Sequence, residues 1–167
     1  MIVSYIIMGI VIAASLLIQG HPSFDVIRIA GVKPDMLFIV IVYLSYSFGS
    51  FTGEVTGFIG GLFHDVVSRS PLGLLALPKV VLGFLIGMFG RGMFKNTIVT
   101  VAIMLFLASL LKGIITLFLA YIFHQGSISQ VLDVILPESF YNALMAPFIF
   151  ILLDKIFERE LEREGHL

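Results

Sequence analysis

The chain has 167 residues, of which 59% are hydrophobic and 13% charged, and its mean hydropathy is +1.08. Soluble domains contain about 45–50% apolar residues, so this composition predicts an all-α, polytopic membrane protein with about six spans of about 20 residues each. The absence of cysteine excludes disulfides, thiolate metal sites and a cysteine nucleophile. A net charge of −1 with scattered basic residues gives no support for nucleic-acid binding.

The first two apolar runs lie on either side of a polar loop. Residues 2–18 form the first run, which has no positively charged start and no small-x-small cleavage pattern, and this predicts a retained span. The second run, residues 36–48, would cover only about 21 Å. Three arrangements stay open for it: a span with little tilt, a helix packed inside the bundle, or a partly re-entrant segment.

Four further spans are predicted at residues 50–67, 72–90, 97–123 and 137–154. Only Lys112 interrupts the fifth span, and a polar loop at residues 124–136 separates it from the sixth, whose first turn would contain Pro137. Residues 155–167 alternate in charge sign and predict a short juxtamembrane helix. The whole chain is thus expected to be a single membrane domain.

The basic residues outside the spans are divided unequally between the two sides of the membrane. With the N-terminus inside, the inner side holds Arg91, Lys95, Lys155, Arg159 and Arg163, and the outer side holds Arg28, Lys33 and Arg69. Because cytoplasmic loops carry an excess of Lys and Arg, this division predicts that both termini are cytoplasmic.

Glycines recur at a spacing of four in the third and fourth spans. The third span carries Gly49, Gly53, Gly57 and Gly61, and the fourth carries Gly83 and Gly87. Such stripes let helix backbones approach closely, which helices in lipid need in order to associate. Two explanations stay open, packing within the chain and docking of a partner's helix.

Ionisable residues inside the spans are functional candidates, because each costs a few kcal/mol to insert. With the N-terminus inside, the outer half would contain His64, Asp65, Lys79, Lys112 and Glu138, whereas Glu54 and Asp154 would lie toward the inner side. We expect opposite charges in the outer half to neutralise one another, with Asp65 and Lys79 as one pair. Structural pairing, a ligand or partner site, and chemistry all stay open as explanations.

No arrangement typical of an enzyme or a metal site accompanies these charges. His64 and Asp65 are adjacent on a helix, so they point about 100° apart and do not converge on one ion. Neither a His-Glu-x-x-His spacing nor a Gly-x-Ser-x-Gly elbow is present. The sequence therefore predicts no catalytic residue, no metal and no cofactor.

Three motifs between residues 33 and 90 resemble those of the rod shape-determining protein MreD family. They are Lys33-Pro34-Asp35 before the second span, Gly57-Phe58-Ile59-Gly60-Gly61-Leu62-Phe63-His64-Asp65 at the end of the third, and Pro71-Leu72-Gly73 followed by Lys79. The chain departs from the family's Gly-x-Asn-Ala-Leu-x-Lys run by having Leu75 in place of asparagine. It also has Pro78 before the lysine, where a kink is expected.

The resemblance implies a non-enzymatic subunit of the cell-elongation complex in the bacterial inner membrane. Such a subunit binds MreC and acts in the lipid bilayer alongside RodA, a class B penicillin-binding protein and MreB. The resemblance also suggests six transmembrane helices arranged like the substrate-capture subunits of energy-coupling-factor transporters. That likeness supplies the alternative function, capture of a vitamin in an outer-half pocket near Asp65, Lys79 and Lys112.

Overall fold

A computed structural model describes residues 2–28, 31–93, 97–124 and 128–163, and within these ranges the chain is helical without β-strands. The helices are α1 (Ile2–Gly20), α2 (Met36–Phe48), α3 (Ser50–Ser68), α4 (Ala76–Met93), α5 (Ile98–Ile122), α6 (Ile128–Ile156) and α7 (Glu158–Arg163). A short 3-10 helix, Pro22–Ile27, follows α1. The prediction of an all-α protein is confirmed.

The second predicted span is the central helix of the bundle. Every residue of α2 from Leu37 to Ser47 is buried, because α1, α3, α4 and α6 pack around it. A helix that is hydrophobic on all sides is expected to be enclosed in this way. Of the three arrangements left open by the sequence, the structure has the helix packed inside the bundle.

The glycine stripe packs α3 directly against α4. A Cβ on Gly57 would lie 2.8 Å from the Lys79 carbonyl oxygen, and one on Gly61 would lie 2.8 Å from the Ala76 Cβ. Gly53 and Gly83 face each other backbone to backbone, and Gly87 faces Ser50 in the same way. Of the two explanations, the structure thus has these five glycines packing helices of the same chain together.

Gly49 is the N-cap residue of α3 rather than part of the helix, and a Cβ on Gly87 would lie 2.6 Å from its carbonyl carbon. Gly49 lies between α2 and α3 with φ 88°, and a Cβ there would meet nothing within 4 Å. Its role is to reverse the chain between two helices, in a conformation that other residues rarely adopt.

The start of α4 differs from the prediction. Residues 72–75 form a turn rather than helix, and α4 begins at Ala76. Pro78 therefore lies in the first turn, where its missing N–H breaks no helical hydrogen bond. The kink expected at Pro78 is wrong, because the only non-helical residue within α4 is Gly90.

The polar loop predicted at residues 124–136 is also mostly wrong. The α6 helix begins at Ile128 and contains both Pro137 and Pro147 in its interior. Polar residues such as Asp133 lie on an exposed helical turn, so their polarity indicated exposure rather than loop structure. The fifth span is confirmed as a helix, with Thr97 accepting a hydrogen bond from the Thr100 N–H at its N-cap.

The C-terminal tail forms a short helix as predicted, but it packs back on the bundle. Phe157 and Leu161 are fully buried, and the Phe157 ring lies 5.5 Å from that of Phe48. Lys95 and residues 164–167, together with the side chains of Arg91 and Arg163, lie outside the described part, so the basic residues used for orientation are only partly placed.

The exterior of the bundle is apolar and several of its polar side chains are buried, the reverse of a soluble protein. Large hydrophobic side chains on α1, α3, α5 and α6 are exposed. Among the described residues, two helical stretches are long and apolar enough to cross a membrane, Ile98–Ile122 and Asp133–Ile156. Six spans remain a prediction.

Candidate functional site

The centre of the candidate site is Asp35, which precedes α2. Its Oδ1 accepts a hydrogen bond of 3.0 Å from the Phe38 N–H and so caps the helix. Its own backbone N–H donates to Asn142 Oδ1 of α6 at 2.8 Å. The residue is only 5% exposed, so its carboxylate needs partners within the protein.

Two buried lysines provide those partners. Lys112 of α5 lies 2.8 Å from Asp35 Oδ2 and also contacts Glu138 of α6, while its Nζ is 4.9 Å from the centroid of the Phe38 ring. Lys79 of α4 lies 3.4 Å from the same Asp35 oxygen and 3.4 Å from the Leu75 carbonyl oxygen. The two lysines are 8% and 1% exposed, respectively.

We call Asp35, Lys79, Lys112 and Glu138 the charge cluster. Its two carboxylates and two ammonium groups give a formal net charge of zero. Its ion pairs join α4 and α5 to the start of α2, and they also join α5 to α6. Asn142 adds a further link, since its amide donates to Ser109 Oγ of α5 at 3.0 Å. Burying charges is costly unless they are paired with good geometry, so the cluster constrains how these four helices are placed.

Asp65 has a separate role from the one predicted for it. Its carboxylate accepts hydrogen bonds of 2.8 Å from the backbone N–H groups of Gly73 and Leu75, and one of 3.3 Å from that of Ala76. The Ser70 hydroxyl donates to it as well, at 2.8 Å. The predicted pair between Asp65 and Lys79 is wrong, because Asp65 caps the N-terminus of α4.

The remaining motif residues shape the turn that brings Asp65 to α4. Gly73 has φ 99°, and the Leu74 N–H donates to the Pro71 carbonyl at 3.1 Å. Leu75 replaces the asparagine of the family pattern, but the contact at this position comes from its backbone. The side chain of Lys33 lies 6.0 Å from the Phe24 ring centroid, and Pro34 is buried next to Asp35.

The other predicted polar residues lie outside the charge cluster. His64 Nε2 is 3.5 Å from Gln19 Nε2, and its buried Nδ1 has no hydrogen-bond partner in the described part of the chain. Asp154 accepts a 2.9 Å hydrogen bond from the Tyr43 hydroxyl, whereas Glu54 is half-buried on α3. No group of His, Asp and Glu among the described residues is arranged to hold a metal ion.

Three residues of this site were missed as partners by the sequence analysis. Asp35 was singled out only as part of a motif, and the uncharged Ser109 and Asn142 were not singled out at all. The available signal was a polar side chain within an apolar run, which Asn142 and Ser109 both provide. Long-range pairing with Asp35 is not visible in any local pattern.

Three apolar grooves lie on the surface of the bundle, with volumes of about 740, 590 and 470 Å³. They run between α5 and α6, between α1 and α3, and between α4 and α5. No charged side chain lines any of these three grooves, and none of them contains a residue of the charge cluster.

Comparison with known proteins places the chain in one family. The sequence model of the family described as rod shape-determining protein MreD matches residues 1–157. No curated protein and no solved structure matches the chain. Because the match covers nearly all of the sequence, the chain belongs to the MreD family of rod shape-determining membrane proteins.

Proposed function

We propose that this protein is a non-enzymatic membrane subunit of the rod-shape complex that binds MreC and supports peptidoglycan synthesis at the lateral wall. In this role it would act alongside RodA, a class B penicillin-binding protein and MreB. Membership of the MreD family supports the general role in cell shape. The finer assignment, a scaffold, is supported by the pairing of its buried charged side chains with one another.

The observation that carries the scaffold role is the pairing of the charge cluster within the chain. Asp35 pairs with Lys79 and Lys112, and Lys112 also contacts Glu138. A binding pocket or catalytic site needs polar groups that face a cavity and are available to a ligand. Here the ammonium groups bind carboxylates of neighbouring helices, which suits a rigid platform for other membrane proteins.

The same observation weakens the alternative, capture of a vitamin. A capture subunit would need polar groups in its pocket to orient the polar parts of a small molecule. The three grooves described above have apolar linings, and Lys79 and Lys112 contribute to none of them. The proposal therefore does not include transport.

We further propose six transmembrane helices, α1 to α6, in a single membrane domain with both termini in the cytoplasm of the inner membrane. The helix order then places the starts of α2 and α4 on the outer side, together with the ends of α1 and α3. In this arrangement Asp35 and Lys79 lie in the outer half of the bilayer. The apolar exterior of the bundle supports a position within lipid.

Affinity purification and rescue of cell shape together test this function. The tagged protein, produced in a rod-shaped host depleted of its own MreD, is expected to restore rod shape when its native MreC is co-expressed. MreC should then co-purify with it from mild detergent. Rounded cells with no MreC in the purified sample would contradict the proposal, and co-purification of an ATPase module with a bound vitamin would favour capture.

A further inference from the structure

The last turn of α1 is joined to two other helices through one side chain, Gln19. Its Oε1 accepts a hydrogen bond of 3.3 Å from the Leu37 N–H of α2, and its Nε2 lies 3.5 Å from His64 Nε2 of α3. We call these two contacts the Gln19 bridge. Leu37 is the second residue of α2, where a backbone N–H has no acceptor within its own helix, so this N–H depends on Gln19.

The Gln19 bridge fixes the protonation state of His64. Because the Leu37 N–H can only donate, it faces the side-chain oxygen of Gln19, and the amide NH₂ group of Gln19 then faces His64. An amide NH₂ group also only donates, so His64 Nε2 has to accept and therefore carries no proton. In this neutral ring the proton is on Nδ1, which is buried and has no acceptor among the described residues.

A protonated His64 does not fit this arrangement. Both ring nitrogens would then donate, and the Nε2–H would face the NH₂ group of Gln19. Turning the Gln19 amide round would offer its oxygen to His64, but the NH₂ group would then face the Leu37 N–H. In either orientation two donors face each other, so proton uptake by His64 requires the Gln19 bridge to break.

The charged groups around His64 are engaged elsewhere in the described part of the chain. Those whose fields reach the ring are Asp65 on its own helix, Asp35 ahead of α2, Lys79 on α4 and Lys112 on α5. Asp35 pairs with the two lysines, and Asp65 accepts from backbone N–H groups at the start of α4. The α1 helix contains no Asp, Glu, Lys, Arg or His. The four charges sum to zero, so they provide no net negative charge for a protonated ring.

The end of α1 has room to move away from α3. An apolar groove of about 590 Å³ runs between the two helices, and both Leu17 and Val67 in its lining are exposed. A Cβ on Gly20, the last residue of α1, would lie 4.0 Å from a methyl group of Val67, so packing is loose there. His64 is half-buried, and separation of α1 from α3 would expose its ring further.

We propose that the Gln19 bridge is a proton-sensitive contact, which is closed when His64 is neutral and opens when His64 takes up a proton from the outer side. In water a histidine binds a proton below about pH 6.5, whereas the closed bridge excludes that proton. By linkage, acidification from about pH 7.5 to about pH 5.5 then raises the ratio of open to closed molecules about tenfold. Opening releases the first turn of α2, next to Asp35 and its two lysines.

Distances between spin labels test this inference directly, since the natural chain has no cysteine. Nitroxide labels are attached to Leu17→Cys on α1 and Val67→Cys on α3 in the full-length protein. Double electron–electron resonance in lipid nanodiscs then measures the distance between the labels at about pH 7.5 and about pH 5.5. We expect a second, longer distance, and the ratio of long-distance to short-distance molecules should rise about tenfold at the lower pH.

Three variants in the same labelled protein assign the effect to His64. His64→Gln keeps an acceptor for Gln19 but binds no proton, so its distances should not change with pH. His21→Gln removes an exposed histidine just beyond α1, whose Nδ1 accepts from the Ser23 N–H, and should respond to acid as the unmodified protein does. Gln19→Glu presents a carboxylate that accepts from both the Leu37 N–H and a protonated His64, so the bridge should stay closed at the lower pH.

The outcomes decide the inference without reference to the partner. Equal distances at the two pH values in the unmodified protein would overturn it. A change that persists in His64→Gln, or one that His21→Gln abolishes, would also overturn it, because another group would then be responsible. If Gln19→Glu does not fold, the comparison of His64→Gln with His21→Gln decides alone. None of these measurements involves MreC, so their result is independent of the proposed scaffold function.

Discussion

At Asp35, one carboxylate caps α2 and pairs with lysines from two other helices. Removing one member of a buried ion pair leaves the remaining charge uncompensated in a low dielectric, which typically costs about 3–5 kcal/mol. The consequence is largest for Lys79, because its other contact is the Leu75 carbonyl at 3.4 Å.

We therefore predict that Asp35→Asn lowers the thermal stability of the protein in detergent far more than Glu54→Gln, which changes a carboxylate outside the charge cluster. Adding Lys79→Met to Asp35→Asn should recover part of the loss, because the unpaired ammonium is then removed. Both effects are measured by heating the variants in detergent and recording the loss of the monodisperse peak in size-exclusion chromatography. Equal stability of Asp35→Asn and Glu54→Gln would contradict the role of Asp35.

A second prediction concerns Asp65 as the cap of α4. Asp65→Ala leaves the N–H groups of Gly73, Leu75 and Ala76 without their acceptor, and loss of such caps typically costs about 0.5–2 kcal/mol. Asp65 and Lys79 do not pair with each other and share only Leu75, whose N–H donates to Asp65 and whose carbonyl accepts from Lys79, so the losses from Asp65→Ala and Lys79→Met should be close to additive. A double variant as stable as either single variant would show that the two residues are coupled.

At the scale of helices, the α3–α4 interface depends on the absence of side chains. Alanine usually stabilises a helix relative to glycine by up to about 1 kcal/mol. At Gly57, however, the added Cβ would lie 2.8 Å from the Lys79 carbonyl oxygen and 2.9 Å from its carbonyl carbon. Both atoms belong to the backbone, so the two helices would have to separate.

We predict that Gly57→Ala destabilises the protein by about 1–3 kcal/mol, the usual cost of overpacking. The matched control is Gly9→Ala on α1, whose added Cβ would meet nothing within 4 Å and should be neutral or slightly stabilising. Gly57→Leu and Gly61→Leu should be more severe than Gly57→Ala. The interface would have to be looser than described if Gly57→Ala were as stable as Gly9→Ala in the same detergent.

The lipid-facing control for this interface also follows from the structure. Leu62 is half-buried, whereas Phe58 on the same helix is exposed. Phe58→Leu is therefore the better neutral substitution on α3.

At the scale of the whole molecule, the order of the helices makes the predicted topology testable. With six spans, a reporter fused after Arg163 should be cytoplasmic, and one inserted after Phe123 between α5 and α6 should be outside. Paired alkaline phosphatase and green fluorescent protein fusions measure this. A phosphatase that is active at the C-terminal site would contradict the six-span topology.

Local sequence patterns were sufficient to predict most of the helices. Apolar runs predicted α1, α2, α3 and α5 to within a few residues, because in a chain this apolar each run forms a helix to satisfy its own backbone. The four-residue spacing of Gly53, Gly57 and Gly61 also predicted a close helix contact, since this spacing places residues on one face. Capping by Asp65 and the start of α6 were not visible in these patterns.

The sequence by itself determined that this is an apolar helical protein of the MreD type with a glycine-mediated helix interface and ionisable groups inside it. Only the tertiary structure decided which charges pair, because Asp35 and Lys112 are 77 residues apart and Asp35 and Asn142 are 107 apart. Any carboxylate attracts any ammonium group, so the sequence offers several equivalent pairings. The arrangement of the helices around α2 places Asp35 beside the two lysines, whereas the Asp65 carboxylate accepts hydrogen bonds from backbone N–H groups.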